Sequence, residues 1–296
     1  MVTVVGLVSA MTVVGLFLAT FRAAGATPGL GLGGRVAILE VDGVIADDGP
    51  FLEDVRQLRR DGSVRAWVVS INSPGGVVAP SQSLYETLRR IRTEDAVPVV
   101  AVIGSVGASG GYYVALAADS ILAMPGSITG SIGVIMEYPN VSDLMEKVGV
   151  EMQVVKAGTQ KDLGSPFRDM GPEDRAILTA LVEDVHDQFI QAVAEGRGLA
   201  PEDVVPLADG RVLSGRQARS AGLIDRFGNL DDAIAVAGRM SGLGPTPRLA
   251  RPPSDDGDWL LDLLLGQTAA GTVRQMVRNL GGGTAGLGPA LKYIVH

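Results

Sequence analysis

From Arg35 onward the chain alternates short, almost wholly apolar runs with longer stretches whose apolar residues recur every three or four positions. The runs 36–41 (VAILEV), 66–71 (AWVVSI), 97–103 (VPVVAVI), 120–123 (SILA) and 152–155 (MQVV) carry few polar positions to turn toward water. That is the pattern of strands covered on both faces, as in a parallel sheet. Residues 52–60, 80–92, 112–118 and 142–148 read as the helices between them, and 128–136 (ITGSIGVIM) as a short extended piece. Residues 172–195 form a longer helical pattern, with Ile177, Leu181, Val185, Phe189 and Val193 in register and Leu178, Val182 and Ile190 widening the stripe. Two more helices are predicted at 214–221 and 229–240, the second opened by an Asn-Leu-Asp-Asp cap signal. Strands alternating with helices predict an α/β domain with a mainly parallel sheet and helical crossovers.

Both flanks depart from this pattern. Residues 2–21 are twenty residues without a charge, long enough to cross a bilayer as a helix, so 1–21 is read as a transmembrane anchor. The competing reading is a cleaved signal peptide, since Ala24-Gly25-Ala26 fits a small-residue cleavage site; the length of the run, the lack of a basic segment before it and Arg22 between run and site favour the anchor. Arg22, the sole nearby side-chain charge, would by itself favour cytoplasmic placement of the domain after it. Residues 22–34 are a glycine-rich linker whose glycines do not fit a dinucleotide fingerprint. The folded domain is expected over 35–243. Residues 244–296 form a tail, with a Pro/Asp/Gly-rich linker at 245–258 and amphipathic helical character at 260–265 and 273–280.

Composition narrows the chemistry. A net charge of −8 and no long basic run argue against nucleic acid as a partner. The absence of cysteine excludes disulfides, thiolate metal sites and cysteine nucleophiles. There are two histidines, His186 and His296, and four lysines, Lys147, Lys156, Lys161 and Lys292, against 21 arginines. Because arginine stays protonated, a side chain that must act as a neutral base comes from a short list.

The stretch 103–113 (IGSVGASGGYY) is where that list matters. A strand leads through small residues to Ser109 and into a helix, so the hydroxyl can stand clear while the N–H groups of Gly110 and Gly111 face forward. The spacing is not the GxSxG elbow of α/β-hydrolases, and an isolated ASGG could be a plain corner. A second turn, Asn72-Ser73-Pro74-Gly75-Gly76, also ends a strand and precedes a helix, at the sheet edge where α/β proteins bind ligands. Together the two turns can build an oxyanion hole, with one N–H from Gly110. Ser109 then needs a base. His186 lies on the margin of a helix stripe and reads as structural, leaving Lys147, Lys156 and Lys161; Lys161 sits in a glycine-punctuated loop suited to presenting a side chain. A lysine serves only when neutral, which from a reference pKa of about 10.4 requires burial worth about 3–5 units. A hydroxyl from Thr129-Gly130-Ser131 could orient the amine.

Five segments, INSPGG (71–76), ASGGYY (108–113), ITGSIGVIM (128–136), KDLGSPFR (161–168) and DGRVLSGRQA (209–218), stand in the order and approximate spacing of one family. Over residues 35–240 the chain resembles the signal peptide peptidase A family of membrane-anchored bacterial serine peptidases, in its short single-repeat form. The resemblance implies a ClpP/crotonase-like fold and a Ser–Lys dyad, with Ser109 as nucleophile and Lys161 as general base. It places Ser131 beside the lysine amine and the oxyanion hole at the backbone of Gly76 and Gly110. It further implies a homo-oligomeric ring with sites shared between subunits and a catalytic domain outside the cytoplasmic membrane. The implied substrates are spent signal peptides and other hydrophobic or unfolded segments, with no metal, nucleotide or other cofactor. Two other readings of the same turns are a crotonase-like acyl-CoA enzyme and a catalytically silent membrane scaffold.

Overall fold

The computed structural model describes residues 33–252 and the backbone of 291–294. The central sheet is built from β1 (Arg35–Asp42), β2 (Val64–Ser73), β4 (Val99–Ala108), β5 (Ser120–Ala123), β9 (Arg226–Phe227) and β10 (Arg248–Ala250), in the order β10-β1-β2-β4-β5-β9. Every pairing along that path is parallel. The same eight-stranded sheet branches at the end of β4, which pairs in parallel with β6 (Ile128–Gly130), itself antiparallel to β8 (Val212–Ser214). A separate antiparallel sheet is made by β3 (Gly75–Val77), β11 (Leu291–Ile294) and β7 (Ile135–Met136), with β11 in the middle.

The apolar runs are solid because both faces of the sheet are covered. One face, with Leu39, Val69, Ala101 and Ile121, packs on the larger core beneath helices α1 (Gly49–Arg60), α2 (Val78–Thr93) and α3 (Gly110–Ala115). After the short α4 (Ser142–Lys147), the long helix α5 (Pro172–Arg197) adds Val185, Phe189 and Val193 to it. Short helices α6 (Pro201–Val204) and α7 (Gly215–Ser220) come next, with Val204 and Ala218 buried. The other face, with Ile38, Val68, Val100 and Leu122, is closed by Ala233, Val236 and Ala237 of α8 (Leu230–Met240). Alternate residues of one strand thus enter different cores, and the one charge within these runs, Glu40, lies exposed near the end of β1 where it pairs with Arg251.

Four sequence expectations are corrected. Residues 152–155 form no strand: the segment is irregular, and Met152, Val154 and Val155 are exposed, the last fully at 103%. The apolar stripe of α5 is buried only in its second half, whereas Ile177 and Leu181 remain 38% and 43% exposed. The stretch read as a linker after residue 244 contributes β10, whose register Arg35↔Arg248 to Ala37↔Ala250 extends the sheet beyond β1. The tail contributes β11. The helical reading of 260–265 and 273–280, and the anchor read at 2–21, lie outside the described residues. Among the described residues no helix is long and apolar enough to cross a membrane.

Candidate active site

Ser109 comes directly after β4 and precedes the first residue of α3. Its φ of 53° and ψ of −120° lie in a region that L-residues with side chains rarely enter. The strain is held by two backbone bonds: Ser109 N–H donates to the Gly130 carbonyl at 2.8 Å, and Tyr113 N–H donates to the Ser109 carbonyl at 2.8 Å. Helix α3 is itself wedged in place. The Tyr112 hydroxyl donates to the Leu223 carbonyl at 2.8 Å, and Tyr113 sits between Tyr85 and Phe189, with ring centroids at 5.1 and 5.0 Å. Burial pushes the Tyr113 phenol up to about 12, so it stays neutral. Ser109 is 1% exposed, and its Oγ has no hydrogen-bond partner among the described residues. A strained backbone and an unsatisfied buried hydroxyl each cost about 1–3 kcal/mol, and such costs collect at working sites.

The SPGG turn closes against this corner. Ile45 N–H donates to the Gly75 carbonyl at 2.9 Å, and Val77 N–H donates to the Ile45 carbonyl at 2.7 Å. In an extended strand successive N–H groups point to opposite edges, so the N–H of Gly76 faces away from Ile45. Its Cα lies hard against Ile45: a side chain on Gly76 would run into the Ile45 carbonyl. A Cβ on Gly110 would lie 2.6 Å from Ser81 Oγ and 3.2 Å from the Gly76 nitrogen. The two glycines expected to form an oxyanion hole are therefore brought together, and Gly is required because backbone meets backbone there. Ser81, whose hydroxyl donates to the Val77 carbonyl at 2.9 Å, and Ser73, whose Oγ accepts from Gly75 N–H at 3.1 Å, brace the turn. Ser73 lies within the turn motif visible in the sequence, whereas nothing in its local sequence marks Ser81.

Ser131 also arrives at the corner. The β4–β6 register pairs Ala108 with Gly130, so Ser109 and Ser131 emerge side by side from neighbouring strands. Ser131 has φ 51° and is buried, with its N–H donated to the Arg211 carbonyl at 2.8 Å.

Lys161 is not joined to this group within one chain. It is exposed on a turn, its backbone N–H donating to Gly158 at 3.2 Å, and the ammonium makes no hydrogen bond or ion pair among the described residues. Its loop, however, is firmly tied. Asp162 accepts from Lys156 Nζ at 2.6 Å and from Arg168 Nε at 3.1 Å, and Arg168 also pairs with Asp174 in the first turn of α5. The hydrogen bonds from Lys156 and then Arg168 hold the Asp162 carboxyl down at about 2. Lys156 is thereby committed to structure. Lys147 lies exposed on α4, and His186 is half-buried on α5 with an unpartnered Nε2.

The chain matches the model of peptidase family S49 over residues 91–243, a span that includes Ser109, Ser131 and Lys161. It belongs to that family. A Synechocystis protein provisionally named a protease is 42% identical over 71% of this chain and 76% of its own length. An Enterococcus faecium protein provisionally named a signal peptide peptidase is 34% identical over 68% of this chain and 62% of its own. Protease 4 of Salmonella typhi is 32% identical over 71% of this chain but only 35% of its own length. In this S49 peptidase the chemistry open to the buried corner comes from its parts. A hydroxyl stripped of water, beside two backbone donors, is positioned to add to a carbonyl.

Proposed function

We propose that this S49 peptidase is a membrane-anchored serine endopeptidase with a Ser109–Lys161 dyad. The observation that carries the reading is the strained, buried and unpartnered Ser109 Oγ beside the backbone of Gly76 and Gly110. The neutral Lys161 amine takes the Ser109 proton as Oγ adds to the substrate carbonyl. The N–H groups of Gly76 and Gly110 receive the oxyanion. The proton passes to the departing amine, leaving an acyl-enzyme on Ser109. Water then adds by the same route, releasing the acid and restoring the serine. The Ser131 hydroxyl orients the amine.

Lys161 reaches the corner from a neighbouring copy in an oligomeric ring. Two features support this: the exposed apolar segment around 148–155, with strand-forming residues and no partner strand among the described residues, and the uncovered first half of the α5 stripe. The charge-free run 2–21 supports anchoring in the bacterial cytoplasmic membrane; placing the domain on the outer side follows the family resemblance, against the pull of Arg22. Substrates are hydrophobic or unfolded segments such as signal peptide remnants. An apolar groove of about 300 Å³ beside β7, lined by Ile135, Met136, Met170, Leu178 and Val182, suits apolar side chains.

The test is a fluorophosphonate probe with peptide mapping on wild type, Ser109→Ala and Lys161→Ala. Label on Ser109, lost in both variants, is the expected result. Mixing the two inactive variants restores part of the activity if the site is shared. Wild-type turnover by either variant alone overturns the dyad.

A further inference from the structure

Strands β10, β1, β2 and β4 run parallel, so the sheet has one edge where they start and an opposite edge where they end, and the two differ in charge. At the starting edge Arg35 stands across from Arg248 on one side and from Val64, the neighbour of Arg65, on the other. Helix α1 returns to this edge with Arg59 and Arg60 in its last turn, and α8 returns with Arg239. Two carboxylates there are already spent, Asp61 on Arg35 and Asp95 on Arg59. Arg60, Arg65, Arg239 and Arg248 remain, all exposed and without an ion pair among the described residues. Glu94 and Asp119 lie farther along, ahead of β4 and β5, so the surplus belongs to the β10-β1-β2 side. The finishing edge is the reverse: Asp42, Asp47 and Asp231 are exposed there, with no cation paired to them among the described residues. Basic residues in a last helical turn complement the helix dipole, which accounts for Arg60 and Arg239. Arg65 and Arg248 stand on strands and have no such reason. A chain of net charge −8 therefore gathers unpaired positive charge at one edge, the edge from which it runs back through residues 22–34 to the charge-free run.

We infer that this edge, through Arg60, Arg65, Arg239 and Arg248, docks on the anionic lipid headgroups of the membrane that holds the chain. The inference rests on the membrane-anchored reading given above. Residues 22–34 reach about 45 Å at full extension, so a domain tethered through them stays close to the bilayer. Guanidinium groups bind phosphate oxygens in a bidentate fork. Each basic side chain near an anionic surface raises partition about fivefold, an effect that fades within a Debye length of about 8 Å. Docking by this edge turns the acidic finishing edge away from the lipid, which removes a repulsion as well. It also sets a distance. Strand β4 starts at this edge and ends at Ser109, ten residues on, so the hydroxyl is held of order 30 Å from the headgroups. A peptide must leave the bilayer before it meets Ser109.

The experiment uses the full chain, whose lack of cysteine allows one dye per molecule. Gly62→Cys places bimane at the arginine edge, where a side chain meets nothing within 4 Å, and Val44→Cys places it at the exposed opposite edge. Each form is reconstituted in phosphatidylcholine vesicles carrying a headgroup spin label, with or without about 30% phosphatidylglycerol. Quenching at position 62, absent at 44, is expected with phosphatidylglycerol. It falls about threefold or more without that lipid, on raising salt from about 0.05 to 0.5 M, or when the four arginines become glutamine. Equal quenching with and without phosphatidylglycerol, or in the glutamine form, overturns the inference. Fluorophosphonate labelling of Ser109 in the glutamine form reads the fold separately from docking, and the lipid and salt comparisons on the parent stand even where that form is unstable. Extraction of the parent from phosphatidylcholine vesicles by alkaline carbonate removes the anchor. The edge assignment then survives on low-salt co-flotation with phosphatidylglycerol vesicles alone, and is overturned by co-flotation with neither kind.

Discussion

Gly110→Ala separates catalysis from folding at the corner beside Ser109. The backbone of Gly110 is outside the left-handed region, so alanine meets no conformational penalty and, at a helix start, gains a few tenths to 1 kcal/mol from reduced freedom of the unfolded chain. Against this, its Cβ would stand 2.6 Å from Ser81 Oγ and 3.2 Å from the Gly76 nitrogen. Ser81 is fully buried and bonded to Val77, so the overlap is relieved by moving Ser81 or by pushing β3 outward, at about 1–3 kcal/mol for overpacking. The two effects leave a net destabilisation of about 0–2.5 kcal/mol. Catalysis suffers more, because a methyl group now crowds the donor of Gly76. Misplacing one oxyanion donor costs about 10²–10³ in kcat. Thermal unfolding and steady-state cleavage of a fluorogenic peptide, run on the same preparation, read the two quantities. Adding Ser81→Ala removes the closer contact and leaves the 3.2 Å approach to Gly76, so the double variant regains stability and only part of kcat. A folded Gly110→Ala protein with kcat within threefold of wild type would show that these two amides do not hold the transition state.

Other perturbations probe the supporting parts. Ser131→Gly relieves a positive φ of 51° and is expected to stabilise by up to about 1 kcal/mol while lowering kcat, and unchanged kcat would remove Ser131 from the site. Asp162, held low by Lys156 and Arg168, has a folded pKa below its ordinary value of 3.8; its contribution is present above the ordinary value and is lost as pH falls toward about 2. Proteolytic nicking within 156–168 should therefore rise between pH 4 and 2, and Asp162→Asn should show the nicked pattern at neutral pH; a loop equally resistant in the variant argues against the tie. Arg197, nearly buried, bonds Asp225 at 2.7 and 3.1 Å. Burial alone would raise the Asp225 carboxyl, but Arg197 and the Ile121 N–H together hold it low. Arg197→Met should cost about 1–3 kcal/mol in denaturant unfolding, and a neutral result would show that Asp225 finds water instead.

The amino-acid sequence by itself determined the elements whose energetics are local or two-sided. The runs at 36–41, 66–71 and 120–123 are short, rich in β-branched or apolar residues and bounded by turn residues, and they are strands where the pattern puts them. Ser109 and Gly110 stood out because small residues after a strand are visible in one dimension, whereas Gly76 and Ser131 were singled out by the family resemblance; the structure brings all four to one corner. The tertiary structure alone decided what depends on a distant edge. Residues 152–155 have strand composition yet pair with no strand among the described residues, because composition does not supply a partner in register. Residues 248–250 and 291–294 have unremarkable composition and become strands because β1, β3 and β7 offer unpaired backbone. Lys161 is likewise legible in sequence only as a residue of a glycine-punctuated loop; the structure shows that loop braced by Asp162 and the side chain exposed. A strand is a property of two partners, and a linear pattern reports only one of them.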